Sequence, residues 1–325
     1  MNSRLYKDKI PCVKNNSRTG NYLYTTNFSV QEESLCKMEI KYLFHLYMKN
    51  KYFFTNHYES PSRSPFIKHC ISIQYSSSNF EDLIQQLVND NFYAEKYKIF
   101  YIKVEEENIG FHESREIEYS VGISIKGNAE MNNPKVIFGI TKVSGKWFFG
   151  QCESNDYSWQ LHKTKPYSYS NALNVEVSRA LVNIATGDVK DCTLVDPCCG
   201  IGTVVVEALS QGFDIKGFEL NKHIGTNAKE NLKYFKLRDV ITIGDMNSID
   251  IHFNSAIVDL PYGLFTTATL EQQINIIKYA RRIATKMVLI SFEDMNKYII
   301  DSGFSVMDKC SISKGKFVRY ITVCQ

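Results

Sequence analysis

The segment Leu194–Thr203, with the sequence LVDPCCGIGT, decides the fold of the C-terminal half of this chain. A short apolar run ends at Asp196, a turn with Gly200 and Gly202 follows, and a helical pattern opens at Thr203. Glycines let a backbone approach a ligand closely, and the first turn of a helix presents unpaired N–H groups. This strand–turn–helix unit therefore suits a bound anion, either a dinucleotide pyrophosphate or the carboxylate of S-adenosylmethionine.

Two details of this segment favour the methyl donor over a dinucleotide. The dinucleotide fingerprint places a third glycine three residues after the second, and Val205 occupies that position. The carboxylate at the strand end can also neutralise the ammonium group that S-adenosylmethionine carries. The residues of this segment that we predict to bind the cofactor are Asp196, Pro197, Gly200, Gly202 and Thr203.

Strands and helices alternate from about residue 192 to the end of the chain. The patterns predict strands at 192–196, 214–220, 240–244, 255–259 and 286–292, and helices at 175–185, 203–211 and 223–235. Two last strands, 305–313 and 317–324, are joined across Lys314-Gly315-Lys316 as a β-hairpin. The sequence thus predicts an α/β fold with a doubly wound, Rossmann-like parallel sheet that ends in a hairpin, which is typical of class I methyltransferases.

Acidic residues follow the second and third of these strands as well. Glu219 ends the second strand, next to Leu220, and can accept hydrogen bonds from both hydroxyls of a ribose. Asp245 closes the third strand, where it can accept from an adenine amino group while Met246 packs on the ring. These four residues complete the predicted cofactor site.

The segment Ile257–Gly263, with the sequence IVDLPYG, follows the fourth strand. The carboxylate of Asp259 and the backbone carbonyl of Leu260 can together accept both hydrogens of an exocyclic amino group, which directs the nitrogen lone pair at the methyl group. Tyr262 can stack on the ring that carries this amine. We therefore predict that the catalytic residues are Asp259, Leu260, Pro261 and Tyr262.

The segments DPCCGIGT, GFEL, GDM and DLPYG resemble the Rossmann-like RNA methyltransferases that act on exocyclic nitrogens. More narrowly, the chain resembles the guanosine-N2 tRNA methyltransferases with a THUMP domain, including those that modify guanosine at tRNA position 10. Residues 117–150 resemble the later part of a THUMP domain, and residues 166–170 and 179–185 resemble the family's passage into its catalytic domain. The resemblance implies methyl transfer from S-adenosylmethionine to N2 of a guanosine in tRNA.

One residue of the tetrad departs from the family's pattern. The usual tetrad is Asp/Asn-Pro-Pro-Tyr, and Leu260 stands where the first proline is expected. The backbone carbonyl at this position is retained, so we expect activity. The substitution Leu260→Pro is expected to be tolerated because it alters no acceptor.

The patterns divide the chain into four regions. These are an N-terminal ferredoxin-like α+β region (1–75) with a helix at 34–46, a THUMP-like RNA-binding domain (76–155), a linker (156–170) and a methyltransferase domain (171–325). Within the THUMP-like domain we predict a helix at 79–88 and strands at 99–104, 118–125, 135–140 and 146–150.

Composition adds a few expectations. The formal net charge is +3 and 44% of the residues are hydrophobic, as in ordinary globular proteins, and no apolar run approaches the length of a membrane span. The nine cysteines are scattered without paired spacings, so neither a metal site nor a disulfide framework is indicated. The first residues contain no apolar segment, so we expect a cytoplasmic protein. Monomer and homodimer both stay open.

Four other functions remain as alternatives. The tetrad also serves adenine-N6 methylation in DNA and glutamine-N5 methylation in proteins, but the THUMP-like half disfavours both. An rRNA could replace tRNA as the substrate. A non-catalytic RNA-binding protein would have no need for the four acids Asp196, Glu219, Asp245 and Asp259.

Overall fold

The computed structural model describes residues 21–104, 109–169, 172–261, 268–314 and 317–325. The chain divides into two compact units. The described part of the first unit comprises residues 21–26, 49–61, 67–104 and 109–155, and the second unit comprises residues 27–48, 62–66 and those from 156 onward. The first twenty residues and Tyr262 of the predicted tetrad lie outside the described residues.

The elements follow one another as a mixture of helices and strands. The α-helices are α1 (Glu33–Phe44), α2 (Phe80–Asn89), α3 (Phe111–Ile123), α4 (Val175–Thr186), α5 (Thr203–Ser210), α6 (Lys222–Tyr234), α7 (Leu270–Ile283) and α8 (Asn296–Asp301). The strands are β1 (Tyr22–Thr26), β2 (Tyr52–Thr55), β3 (Ile67–Ser77), β4 (Tyr93–Tyr101), β5 (Lys126–Ala129), β6 (Val136–Val143), β7 (Lys146–Ser154), β8 (Thr193–Asp196), β9 (Asp214–Glu219), β10 (Ile241–Ile243), β11 (Phe253–Asp259), β12 (Ala284–Ser291), β13 (Val306–Lys314) and β14 (Phe317–Cys324). Among the described residues, no helix is both long and apolar enough to cross a membrane.

The first unit is built on one seven-stranded sheet in the order β2-β1-β3-β7-β6-β4-β5. The long strand β3 pairs with β1 on one side and with β7 on the other. Leu23, Ile71 and Phe148, from these three strands, are buried in a common core cluster. The α+β architecture predicted for this part of the chain is confirmed, but the sheet has no boundary at residue 75, because β3 continues through it.

Residues 118–125, which we predicted as a strand, belong mostly to helix α3, so that prediction was wrong. Alternating apolar residues suggested a strand. Within α3, however, the buried residues are Ile117 and Val121, while Tyr119 and Ile123 are exposed. A spacing of four residues between buried positions is that of a helix face. The helix also supplies the crossover that the parallel pair β4 and β5 requires.

The second unit contains a seven-stranded sheet in the order β10-β9-β8-β11-β12-β14-β13. The first five strands in this order run parallel to their neighbours, and β14 is antiparallel to both β12 and β13. Side chains of β11 and β12 pack against α7 in a core that includes Ala256, Leu289 and Ile277. The predicted doubly wound sheet with a C-terminal hairpin is therefore confirmed.

Residues 27–48 and 62–66 fold with the second unit. Glu39 of α1 is fully buried, and its carboxylate accepts hydrogen bonds from Ser64 Oγ at 2.5 Å and from Asn183 Nδ2 of α4 at 2.6 Å. Burial raises the pKa of Glu39 to about 7, against the opposing effect of these hydrogen bonds. Such a buried and fully engaged carboxylate ties α1 to α4.

This arrangement corrects the predicted domain division in two places. Helix α1 is part of the second unit rather than of a separate region 1–75. The sequence could not indicate this, because the apolar face of a helix does not reveal which surface covers it. The predicted linker 156–170 contains a 3-10 helix, Ser158–Thr164, in which Trp159 is buried. It likewise belongs to the second unit.

Candidate active site

Four acidic side chains follow neighbouring parallel strands at one edge of the second sheet. Asp196 ends β8, Glu219 ends β9 and Asp259 ends β11, while Asp245 comes two residues after the end of β10. These strands are adjacent in the order β10-β9-β8-β11. Open α/β sheets bind their ligands at the carboxyl ends of their strands. The structure thus places the four acids that the sequence singled out along a single edge.

The turn after β8, which begins at Pro197, leaves its backbone approachable. Gly200 has φ +54° and Gly202 has φ +79°, in the left-handed region that favours glycine. The turn is held by the N–H of Cys199, which donates to Phe218 O at 2.8 Å. Apart from Gly200 and its two chain neighbours, no described residue has an atom within 4 Å of the position that a Cβ would take there. A ligand can therefore contact the peptide there.

Thr203 begins helix α5 directly after this turn. Its side chain is buried, and Oγ1 has no hydrogen-bond partner among the described residues. Buried hydroxyl groups are normally hydrogen-bonded. An unpaired hydroxyl beside the free N–H groups of a helix N-terminus fits an anionic ligand group.

Asp196 is a buried carboxylate. One of its oxygens, Oδ1, accepts the N–H of Cys198 at 3.3 Å. Burial raises the pKa of Asp196 well above its usual value, and the negative charges of Asp259 and Glu219 raise it further. A cation bound beside these acids would offset this effect, as expected for a residue that pairs with an ammonium group.

Glu219 joins the turns that follow β8 and β9. Its Oε2 accepts the N–H of Gly200 at 3.0 Å, and its Oε1 accepts the N–H of Asn221 at 2.8 Å. Each carboxylate oxygen can accept a second hydrogen bond, so a bidentate contact with a ribose stays open. Leu220 beside it is 75% exposed, which leaves its side chain available for contact with a ligand.

Asp245 and Met246 lie in the loop that follows β10. Asp245 caps a 3-10 helix, Met246–Ser248, and accepts both the backbone N–H and the side-chain amide of Asn247, at 2.9 Å and 3.0 Å. Met246 is buried in the core cluster with Val195 and Phe218. Both residues stay predicted cofactor contacts. The carboxylate of Asp245 also accepts the hydrogen bonds from Asn247.

Asp259 differs from the other three acids in its hydrogen bonding. Its Oδ1 is buried and has no hydrogen-bond partner among the described residues. Burial raises the pKa of Asp259 to about 7, and the charge of Arg319 opposes this rise. A buried carboxylate oxygen without a donor is costly unless a ligand supplies the donor. The geometry of Asp259 therefore suits a bound N–H group.

The next residues fix the loop after β11. Leu260 is buried in the core, and its N–H donates to Ile290 O at 3.0 Å. The carbonyl of Pro261 accepts the side-chain amide of Gln273 at 3.0 Å. Tyr262, the last residue of the predicted tetrad, lies outside the described residues.

Three residues at this edge were not found from the sequence. Gln273 holds Pro261, and Asn231 of α6 donates to the carbonyls of Ile201 and Tyr167, at 3.0 Å each. Arg319 of β14 acts on the charge of Asp259. None of them lies within a motif, and each reaches the site only through the folding of a distant element.

The region around this site is similar to a methyltransferase family. Residues 162–274 match the family model described as the RMKL-like methyltransferase domain. The matched range contains all four acids of the sheet edge. This match confirms that the second unit carries a methyltransferase domain.

Several curated proteins are similar to this chain. A tRNA (guanine(10)-N2)-dimethyltransferase of Pyrococcus abyssi is 24% identical over 173 residues, which are 50% of this chain and 52% of that protein. An enzyme of the same name from Methanocaldococcus jannaschii is 26% identical over 231 residues, 65% of each protein. The U6 snRNA (guanine-N(2))-methyltransferase THUMPD2 of Mus musculus is 27% identical over 152 residues, 44% of this chain and 28% of that protein. The alignments thus cover between about half and two thirds of the archaeal relatives.

Proposed function

We propose that this protein transfers a methyl group from S-adenosylmethionine to the exocyclic N2 of a guanosine in tRNA, in the region of position 10. The proposal depends on one observation: Oδ1 of Asp259 is buried and has no hydrogen-bond partner among the described residues. It offers an acceptor for an amino hydrogen at the end of β11, beside the strands whose loops suit the cofactor. The names of the similar proteins, which share guanine N2 as the modified atom, support the choice of this amine.

The residues at the carboxyl ends of β8, β9 and β10 fit S-adenosylmethionine. Thr203 and the N-terminus of α5 suit its carboxylate, and Asp196 suits its ammonium group. Glu219 suits the ribose, while Asp245 and Met246 suit the adenine. When bound, the cofactor supplies a methyl group on a sulfonium centre, which is open to direct attack by a nitrogen lone pair.

Asp259 would act by orienting the amino group of the target guanine. In its ionised form the carboxylate accepts one hydrogen of the guanine amino group, and the carbonyl of Leu260 accepts the other. Both interactions fix the direction of the nitrogen lone pair, which is the main contribution that a protein can make to an in-line displacement. The methylated amine is strongly acidic, so its proton leaves without a tuned base.

The RNA side of the proposal concerns the first unit. We propose that this unit is the THUMP-like part that holds tRNA by its shape and phosphates. A guanosine in a base-paired stem must be extruded to reach Asp259, which costs a few kcal/mol, and stacking on Tyr262 would offset part of it. A tRNA substrate would place the protein in the cytoplasm.

A second RNA substrate has a specific observation in its favour. The mouse relative is named for U6 snRNA rather than tRNA, although it shares guanine N2 as its target. Transfer to a guanosine of another RNA, such as snRNA or rRNA, would therefore use the same site. No observation of this kind favours protein glutamine, DNA adenine or a non-catalytic role.

The proposal is tested by incubating the purified protein with labelled S-adenosylmethionine and unmodified tRNA transcripts. We expect N2-methylguanosine in the nucleoside digest by mass spectrometry, and its loss when guanosine 10 is replaced by adenosine. U6 snRNA and rRNA transcripts serve as parallel substrates. Methyl groups found on a ring carbon, or no transfer to any RNA, would overturn the assignment.

A further inference from the structure

Asp259 stands between two groups of strands in the second sheet. The strands that carry the cofactor residues, β8, β9 and β10, all lie on one side of β11, and β12, β14 and β13 lie on the other. Nothing in the predicted site uses this second side. If the methyl donor occupies the first side, the rest of the RNA has to approach Asp259 from the second.

Arg319 lies at the carboxyl edge on this second side. Asp259 is beside Ile290 of β12, and Tyr320 of β14 is opposite Ser291, the last residue of β12. Because β14 is antiparallel to β12, Arg319 comes one position further toward the edge, next to Phe292. It therefore occupies the same edge as Asp259, two strands away.

The side chain of Arg319 lies close to the aromatic ring of Phe292. Its guanidinium carbon is 5.5 Å from the ring centroid of Phe292, within the range of a cation–π interaction. The planar guanidinium group can stack on a ring with its face and still donate hydrogen bonds from its edge. Such an arrangement holds the charge in place at the edge of the sheet.

The charge of Arg319 is notable because the predicted site residues around it are acidic. Asp196, Glu219, Asp245 and Asp259 would repel an approaching phosphodiester. The influence of Arg319 reaches Asp259, whose pKa it lowers. Arginine is the side chain best suited to pair with phosphate, since its N–H groups match two phosphate oxygens.

We propose that Arg319, supported by Phe292, binds a backbone phosphate next to the target nucleotide and so places its base at Asp259. This inference depends on the proposed function, because it assumes an RNA substrate. Arg319 would act as a substrate-binding residue, and it would not contact the cofactor.

The experiment measures the binding of a tRNA transcript to the intact protein at several salt concentrations, with S-adenosylhomocysteine present so that no turnover occurs. We expect Arg319→Gln to raise the Kd about tenfold and to reduce the slope of log K against log salt by about 0.7–0.9, the value for one phosphate contact. Arg319→Lys should keep the slope and lose only part of the affinity. Cofactor affinity and Tm should stay unchanged.

Arg281→Gln is the matched control. Its guanidinium carbon lies 5.2 Å from the ring of Phe304, so it is also an arginine on a phenylalanine. It sits near the end of α7, directly before β12 begins, and therefore at the opposite edge of the sheet. Its RNA affinity and salt slope should equal those of the unchanged protein.

A second measurement uses the unchanged protein alone, so it does not depend on the folding of a variant. Single neutral methylphosphonates are placed on either side of the target guanosine, and one of them should weaken binding about tenfold. The inference is overturned if no such position exists, or if Arg319→Gln leaves the salt slope unchanged and shifts only the pH profile of turnover. If the unchanged protein methylates no RNA, the proposed function fails, which is a different result.

Discussion

The two sides of the candidate site differ in how their carboxylates are paired. On the β8–β10 side, Glu219 accepts two backbone N–H groups. Asp245 accepts one backbone N–H and one side-chain N–H from Asn247. On the β11 side, Oδ1 of Asp259 is buried without a described partner. An unpaired buried carboxylate costs more free energy than an unpaired hydroxyl such as that of Thr203. The proposed cofactor side is therefore largely organised in advance. The proposed substrate side lacks a donor among the described residues, and we expect the target amine to provide it.

The largest effect should follow from removing the carboxylate of Asp259. We expect Asp259→Ala to lower turnover by roughly a hundredfold or more, because the orientation of the amine is lost in the transition state. Cofactor affinity should change far less, since the cofactor residues lie on other strands. Single-turnover kinetics and calorimetry measure the two quantities separately. Near-normal turnover would mean that Asp259 does not orient the substrate.

On the organised side, Asp196→Ala and Glu219→Ala should each weaken S-adenosylmethionine binding at least tenfold, which corresponds to about 1.4 kcal/mol. The first would remove the proposed partner of the ammonium group. The second would remove the proposed ribose acceptor, and it also leaves the N–H groups of Gly200 and Asn221 without the carboxylate that accepts them.

Asp214→Ala is the control for these two variants, because Asp214 begins β9 at the opposite edge of the sheet. Calorimetry should show unchanged cofactor affinity for it. Equal affinities for all three variants and the unchanged protein would remove the cofactor assignment of this edge.

The structure changes the expectation for Leu260→Pro. The backbone N–H of Leu260 donates to Ile290 O, and proline cannot make this hydrogen bond. We expect the free energy of unfolding to fall by about 1 kcal/mol, with turnover of the folded protein kept within a few fold. Leu260→Ile, which keeps the N–H, should cost less than the proline variant in urea denaturation. Equal stability of both variants would show that this hydrogen bond contributes nothing.

The smallest effect concerns stability and pH. Since burial raises the pKa of Asp259 from 3.8 to about 7, the folded state favours the protonated carboxyl. The stability from this preference is fully present below pH 4 and is lost as the pH rises through 7. Asp259→Asn should therefore raise Tm by a few degrees at pH 8, roughly 1–2 kcal/mol, and by less at pH 5. A difference in Tm that does not vary with pH would contradict the buried, unpaired state.

Much of the second sheet could be predicted because its strands contain short apolar runs, several of which lead into a residue with specific chemistry. Asp196, Glu219 and Asp259 could be found in this way, since parallel strands end at one edge. The N-terminal part was harder. The apolar residues of α3 alternate in a way that also fits a strand, and only the burial of Ile117 and Val121 decides between the two.

Individual contacts between side chains that are distant in the sequence could not be predicted. Nothing near Glu39 in the sequence indicates that Asn183 donates a hydrogen bond to it. Nothing near Arg319 indicates that its charge affects the pKa of Asp259. Such contacts depend on the three-dimensional arrangement of distant elements, which a local pattern does not contain.

The buried contact between Glu39 and α4 has a consequence for synthesis on the ribosome. Helix α1 is made first, but α4 follows more than a hundred residues later. At about 5–20 residues per second, the nascent helix waits on the order of ten seconds for the surface that covers it. By the end of that interval all seven strands of the first sheet have been synthesised, so the first unit can fold while the second is still incomplete.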